Sequence, residues 1–209
     1  VNIALANELA KMSEELGVNC WDVIRMANQH PRVNILQPGP GVGGHCIALD
    51  PWFLVEKSKN AKLIHQARLN NDSMPEFVMN KIDKILGGLE GKTVTLFGVT
   101  YKPNIDDIRE SPVMHLMDML KAKGVNVKVC DPHAAEKVAN NFEMYDACKD
   151  SDIVVLGVNH DQFRNVDFNK MAENMNNKVI LDTRNFWNRD DVTGAGIEYV
   201  LLGEGKEEN

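Results

Sequence analysis

The feature that most constrains the fold is a series of short apolar runs in the second half of the chain. Five runs rich in Val, Ile and Leu occur at residues 93–99, 125–130, 153–158, 179–181 and 197–202. A helical pattern over Pro112–Lys123 separates the first two runs, with Val113, Leu116 and Leu120 on one side. Short apolar strands that alternate with helices build βαβ units and a parallel sheet. The sequence therefore predicts an α/β fold with a Rossmann-like, doubly wound domain.

The first part of the chain has a helical pattern instead. Four apolar residues are spaced for one face of a first helix: Leu5, Leu9, Met12 and Leu16. The pattern resumes later as one helix over about 62–86, with a kink near Pro75. We therefore predict three parts: a helical central domain at 1–88, the sheet domain at 91–203 and a disordered tail at 204–209. Because the chain opens inside a helix without an initiator Met, we also expect a segment before it.

Composition excludes several functional classes. The 209 residues contain 23 Lys and Arg against 30 Asp and Glu, for a net charge of -7. An acidic chain without a basic cluster is not expected to bind nucleic acid or an anionic membrane surface. No apolar run approaches the roughly 18 residues of a membrane span. The four cysteines form no Cys-x-x-Cys pair, so we predict neither a disulfide framework nor a metal site, and we expect a cytoplasmic protein.

A glycine-rich loop, Gly39–Gly44, leads to a single cysteine, Cys46. Such a loop lets backbone N–H groups, including those of Gly43 and Gly44, approach a ligand closely. A helix that begins at Cys46 would lower the pKa of its thiol and favour the nucleophilic thiolate. Asp50 would then lie one turn further on, where a carboxylate suits proton handling. The alternative is a tight turn followed by an inert, packed cysteine.

Three cations follow predicted strands and should share one edge of the sheet: Lys102, Arg109 and Arg184. Ligands of doubly wound sheets bind at the carboxyl ends of the strands, so these cations indicate an anionic ligand. The alternative is a solvated loop with ion pairs to Asp106 and Asp107. The glycine loop follows a helix rather than a strand and lacks the Lys-Ser/Thr ending of a P-loop, and the turn after the first strand lacks G-x-G-x-x-G. The chain therefore shows no dinucleotide-binding fingerprint of its own. We interpret Asp131, at a strand end, as a turn residue, and we assign His160 no role.

Four stretches make the sequence resemble the central and C-terminal domains of the UDP-glucose/GDP-mannose dehydrogenase family. They are His30–Asn34, Gly39–Pro51, Tyr101–Pro112 and Asp182–Asn185. The resemblance implies an NAD-dependent oxidation of a sugar C6 alcohol to a carboxylate, as used in polysaccharide biosynthesis. Within the family, His45 and the run Ile47–Trp52 are most similar to the members that act on UDP-N-acetyl-D-mannosamine, so the resemblance implies that substrate. UDP-N-acetylglucosamine, UDP-glucose and GDP-mannose are the alternatives.

The resemblance also implies roles for single residues. Cys46 matches the nucleophile that forms a thiohemiacetal and then a thioester, and Asp50 matches an aspartate that positions water. The residues that match substrate contacts are Arg32, Gly43, Gly44, Lys102 and Arg184. Arg32 would reach the substrate of a neighbouring subunit, although the loop around it differs in length. Arg109 matches a residue that contacts the cofactor.

The family's N-terminal Rossmann domain, which holds NAD and a catalytic lysine, has no counterpart in these 209 residues. We therefore expect that the chain cannot turn over without this missing domain. In the family the central helices form the dimer interface, so the resemblance also implies a homodimer. Two other functions remain open. The chain could be a non-catalytic module for dimerisation and nucleotide binding. It could also be an acyl-transfer enzyme with His45 as general base, although adjacent side chains at a helix start are not expected to face each other.

Overall fold

Five parallel strands form a single sheet in the computed structural model, which describes residues 1–134 and 136–205. The strands are β1 (Thr93–Phe97), β2 (Asn126–Cys130), β3 (Ile153–Leu156), β4 (Val179–Asp182) and β5 (Glu198–Leu201). Their order is β2-β1-β3-β4-β5, with every neighbouring pair parallel. The predicted α/β, doubly wound class is confirmed. Because the order reverses between β1 and β3, a crevice is expected at the carboxyl ends of these two strands.

Five helices precede the sheet: α1 (Asn2–Leu16), α2 (Cys20–Ala27), α3 (Cys46–Lys57), α4 (Lys62–Asp72) and α5 (Met74–Leu86). The prediction of one kinked helix over 62–86 is wrong. Pro75 lies in the first turn of α5, where its missing N–H costs no helical hydrogen bond, and the break at Ser73 separates two helices.

Among the described residues, four α-helices connect the strands: α6 (Pro112–Ala122), α7 (Met144–Cys148), α8 (Phe168–Asn174) and α9 (Arg189–Gly194). Only α6 was predicted, because the other three are too short to show a helical period. None of the helices within 1–134 and 136–205 is both long and apolar enough to cross a lipid bilayer.

The packed face of α1 is not its leucine stripe. Ala4, Ala6 and Ala10 are buried, together with Asn7 and Ser13. By contrast, Leu5, Met12 and Leu16 are 47%, 45% and 68% exposed. The apolar stripe marks a helix, as predicted, but small residues make the internal contact and leave Leu5, Met12 and Leu16 on the surface.

The sheet core includes α5. Its buried residues Met74, Val78 and Ile82 pack with Leu116 and Leu120 of α6 on one face of the sheet. The other face is covered by an aromatic group around Phe163 and Trp187, together with α7, α8 and α9. The domain boundary at residues 88–91 stays a prediction. In the core, α5 packs with the sheet, although it precedes that boundary in the chain.

The predicted tail begins with two residues that have defined contacts. Glu204 forms an isolated bridge with Asn19, and the Gly205 amide donates to the Val18 carbonyl at 2.9 Å. These contacts join the end of the sheet to the turn between α1 and α2. Residues 206–209 lie outside the described residues.

Candidate active site

Two helices hold the start of the glycine loop. The Gly39 amide donates to Oδ1 of Asn7 at 3.0 Å, and Nδ2 of Asn7 donates to Oδ1 of Asn71 at 2.9 Å. Both asparagines are buried. The bonds therefore join α1 and α4 and fix where the loop leaves the helices. Sequence reasoning missed Asn7, although it is a polar residue on the alanine face of α1.

The glycine loop lies against the loops that follow β1 and β4. A Cβ at Gly39 would overlap the guanidinium of Arg184. A Cβ at Gly43 would overlap the Glu110 carbonyl and come within 2.9 Å of Cβ of Tyr101. These close approaches require glycine at both positions. The Gly44 amide also donates to the Arg109 carbonyl at 3.2 Å, so the cysteine loop and the strand ends form one site.

Cys46 is the first residue of α3, and Asp50 lies one turn further along the same helix. Both side chains are exposed. The other cysteines, Cys20, Cys130 and Cys148, are buried, and none of the four forms a disulfide. Cys46 is therefore accessible to solvent and lies at a helix N-terminus, and both features are typical of a reactive thiol.

The expectation that the side chains of His45 and Cys46 do not face each other is wrong. Its Nδ1 lies 3.9 Å from Sγ of Cys46, so the neighbouring side chains do approach each other. His45 is the residue before the first residue of α3 and already has helical backbone angles (φ −80°, ψ −45°), so the approach occurs within a helical conformation. At 3.9 Å, this contact is at the long end of a hydrogen bond to sulfur.

Arg68 supports the turn that carries Cys46. Pro51 lies inside α3 and has no N–H, so the carbonyl of Ile47, four residues earlier, lacks its helical partner. Nη1 of the buried Arg68 donates to this carbonyl at 3.4 Å, and Nη2 pairs with Asp72. Arg68 was also missed from the sequence, although the proline inside the helix signals an unpaired carbonyl.

Arg184 is held in place by its surroundings. Its Nε donates to the Gly157 carbonyl at 2.9 Å, and its amide donates to Oδ1 of Asp182 at 2.8 Å. Oδ2 of the buried Asp182 also accepts from the hydroxyl of Tyr199 at 2.9 Å. Burial lowers the pKa of Arg184 to about 10, so the guanidinium remains charged at neutral pH. A fixed, partly desolvated cation therefore faces the glycine loop.

The other predicted cations lie in more open positions. Arg109 forms a two-pronged ion pair with Asp107 (Nε–Oδ1 3.0 Å, Nη2–Oδ2 2.6 Å), and this hydrogen bonding lowers the pKa of Asp107 to about 2. The predicted alternative of an internal ion pair thus holds for Arg109, whereas Asp106 pairs with Lys137. Lys102 and Arg32 are exposed. Among the described residues, neither side chain has a hydrogen bond or an ion pair.

Asp131 and His160 form a buried network that sequence reasoning did not find. Nε2 of His160 lies 3.1 Å from Oδ2 of Asp131, and both side chains are inaccessible to solvent. Oδ1 of Asp131 accepts from the amides of His133 and Ala134, which confirms a turn role. Burial raises the pKa of Asp131, but the hydrogen bonds from His160 and from the Val99 amide outweigh it, and the net pKa is lowered.

Two sequence models of one family match separate parts of the chain. The central domain of the UDP-glucose/GDP-mannose dehydrogenase family matches residues 1–73, and the UDP binding domain of that family matches residues 95–189. Together they cover most of the chain, including the glycine loop, Cys46 and the loop around Arg184.

Curated relatives share extensive sequence identity with the chain. A UDP-N-acetyl-D-mannosamine dehydrogenase of Methanocaldococcus jannaschii is 51% identical over 99% of this chain and 49% of its own length. An NDP-N-acetyl-D-galactosaminuronic acid dehydrogenase of Ralstonia nicotianae is 43% identical over 90% of this chain and 45% of its own length. The chain thus spans about half the length of these curated relatives.

Two solved structures superpose on nearly the whole chain. The UDP-D-ManNAc dehydrogenase of Pyrococcus horikoshii superposes with a TM-score of 0.88 at 31% identity, over 98% of this chain and 49% of that protein. The UDP-N-acetyl-mannosamine dehydrogenase of Staphylococcus aureus gives a TM-score of 0.85 at 43% identity, over 97% and 48%.

Proposed function

Because the chain belongs to the UDP-glucose/GDP-mannose dehydrogenase family, we propose that it supplies the nucleophile and the nucleotide-sugar site of an NAD-dependent UDP-N-acetyl-D-mannosamine 6-dehydrogenase. The product would be UDP-N-acetylmannosaminuronate. One observation carries the proposal: the glycine loop before Cys46 packs directly against the loop of Arg184 and the loop of Arg109. An anchored sugar nucleotide could thereby bring its reacting carbon to the exposed thiol.

In the proposed reaction, Cys46 holds the sugar between two oxidations. The C6 alcohol first loses a hydride and a proton and becomes an aldehyde. The thiol of Cys46 adds to the aldehyde carbon and forms a thiohemiacetal, whose oxidation gives a thioester. Water then displaces the thiol, so that the carboxylate is released and Cys46 is regenerated. Asp50, one turn from Cys46, would orient this water or accept its proton.

NAD, when bound, accepts one hydride in each oxidation. This chain offers few contacts to the cofactor, because its glycine loop follows a helix and none of its described strands leads into a G-x-G-x-x-G turn. Arg109 fits one cofactor contact, because its Nη1 is left over after the pair with Asp107 and its side chain is 67% exposed. The main cofactor site and a catalytic lysine would therefore belong to a Rossmann domain outside these 209 residues.

The nucleotide-sugar contacts would come mainly from the strand ends. Arg184 is a fixed cation suited to a diphosphate, and Lys102 presents a mobile ammonium group from the loop after β1. Gly43 and Gly44 would bring backbone amides close to the sugar. Arg32 is exposed on the loop between α2 and α3, which supports a contact with the substrate of a second subunit.

The identity of the sugar rests on the relatives. Several of those with 44% to 51% identity are named UDP-N-acetyl-D-mannosamine dehydrogenases, which supports that substrate. UDP-N-acetylglucosamine, UDP-glucose and GDP-mannose are the alternative substrates of the same chemistry. The alternative of another class is a non-catalytic module, which would bind nucleotide but would not need Cys46.

We also propose that the chain forms a homodimer through its helices. The stripe of Leu5, Met12 and Leu16 on α1 is exposed and apolar, as expected for a surface that another subunit covers. A dimer in sedimentation at micromolar concentration is the expected result, and a monomer under those conditions would contradict the proposal. The four free thiols support a reducing compartment, for which we propose the cytoplasm.

Two measurements test the proposed function. Calorimetric titration of this chain should detect UDP and UDP-N-acetylmannosamine but little NAD, and the chain alone should produce no NADH. The complete protein should produce two NADH per sugar, and Cys46→Ser should lower this turnover about 1,000-fold or more while UDP affinity stays unchanged. Full turnover by Cys46→Ser would contradict the covalent mechanism and favour the non-catalytic role.

A further inference from the structure

The loop that carries Lys102 lies on two inaccessible side chains from neighbouring strands. Asp131 follows β2 and His160 follows β3, and these strands flank β1 on both sides. Both side chains therefore reach beneath the loop that follows β1. Neither residue has a role in the proposed chemistry, and buried polar pairs of this kind need a structural reason.

The hydrogen bonds of His160 assign different roles to its two ring nitrogens. Its Nδ1 lies 2.9 Å from the backbone nitrogen of Asn104, and an amide N–H can only donate. Nδ1 therefore accepts and carries no proton. The proton resides on Nε2, which donates to Oδ2 of Asp131 at 3.1 Å. Both ring nitrogens are thus used, and the imidazole links Asp131 to the far end of the loop.

The near end of the loop is held by the same carboxylate. Oδ2 of Asp131 accepts from the amides of Val99 at 2.6 Å and Thr100 at 3.2 Å. The hydroxyl of Thr100 donates to the carbonyl of Lys102 at 3.0 Å. The backbone is therefore restrained before Lys102 by Asp131 and after it by His160, while the Lys102 side chain stays exposed.

We propose that His160, oriented by Asp131, is a positioning residue that holds the loop so that Lys102 meets the diphosphate of the sugar nucleotide. This inference rests on the proposed function of Lys102. His160 would touch neither substrate nor cofactor. Its contribution would be to keep the loop ordered before the ligand arrives, so that binding does not have to order it.

Two substitutions each remove one of the two hydrogen bonds that the His160 ring makes to Asn104 and Asp131. His160→Asn keeps an acceptor, Oδ1, near the position of Nδ1 but loses the reach to Asp131. His160→Gln keeps a donor near the position of Nε2 but offers Asn104 no acceptor. Met171→Ala, at a buried site on α8, serves as a control for general destabilisation. Each variant of the whole chain would be titrated with UDP, and amide hydrogen exchange would be measured over residues 99–104.

The positioning role predicts an order of effects. His160→Gln should weaken UDP binding about tenfold and speed amide exchange over residues 99–104. His160→Asn should weaken UDP binding by under about threefold. Met171→Ala should change neither UDP binding nor amide exchange over 99–104. Equal UDP affinities in the two His160 variants and the wild type, or unchanged exchange in His160→Gln, would overturn the proposal. If the wild-type chain binds no UDP, the proposed function fails separately. Faster exchange in His160→Gln would then still support the restraint on the loop.

Discussion

The two halves of the candidate site differ in how completely this chain encloses them. At the ends of the strands, the buried acids and Arg184 are satisfied internally: Asp131 and Asp182 each accept from several amides, and Arg184 is held by Gly157. Around the thiol, the surface is open. Cys46 and Asp50 are exposed, as are the apolar side chains of Ile47 and Phe53 on the same helix.

This difference suggests a division of work. Nucleotide binding would need a fixed cation and ordered loops, and the sheet edge has both in Arg184 and the loop after β1. The proposed oxidation would need a reacting carbon enclosed away from water, which an open helix cannot provide. We therefore expect this chain to bind the nucleotide part of a substrate by itself and to need further protein around the thiol for chemistry.

Thiol labelling gives the largest expected contrast between the two regions. At pH 8, iodoacetamide should modify Cys46 at least about 100-fold faster than the other cysteines, because only the Cys46 thiol is exposed. Burial raises the pKa of Cys20 and of Cys148 to about 12, and it also raises the pKa of Cys130. Mass spectrometry should find one label per native chain and four after unfolding. Rapid native labelling of Cys46→Ser would contradict the contrast.

Substitution at the contact between the two regions should have the next largest effect. Gly43→Ala would drive a methyl group into the Glu110 carbonyl, which is backbone and cannot move aside easily. We expect a loss of about 3 kcal/mol in the free energy of unfolding, measured by urea denaturation. Gly194→Ala is the matched control, because a Cβ there meets nothing within 4 Å. Equal stability of the two variants would show that the contact is loose.

The parts of the fold that could be predicted are those with a local period. The strands appear as apolar runs of a few residues, and the start of α3 at Cys46 follows a glycine loop. The face of α1 could not be assigned correctly, since leucines usually pack inward and here alanines allow a closer approach to α4. The helices α7, α8 and α9 are five to seven residues long, too short to show a period.

The parts of the site that could not be predicted depend on distant residues. Gly39 meets Arg184 because the loop between α2 and α3 folds back onto the end of β4, and no spacing in the sequence encodes that contact. His160 and Asp131 look like an isolated histidine and a turn aspartate until β1, β2 and β3 bring them together. Sequence reasoning found the groups with distinctive chemistry and missed the groups that hold them.

A smaller effect is expected at the enclosed cation. Arg184→Lys retains the charge but loses the planar group that bonds Gly157 and packs on Gly39. We expect UDP affinity in calorimetry to fall about tenfold, which corresponds to about 1.4 kcal/mol. Arg25→Lys, at an exposed ion pair on α2, should leave the affinity unchanged. An unaltered affinity in Arg184→Lys would remove Arg184 from the nucleotide site.

The smallest effect on stability is expected on the exposed stripe of α1. Leu16 is 68% exposed, whereas Leu116 in the sheet core is fully buried. Leu16→Ala should therefore change the free energy of unfolding by under about 0.5 kcal/mol, against about 3 kcal/mol for Leu116→Ala. Leu16→Ala should weaken self-association more than Leu116→Ala does, because only Leu16 would lie between subunits. Sedimentation of the two variants over a range of concentrations measures this, and a Leu16→Ala dimer as tight as the wild type would move the subunit contact away from the stripe.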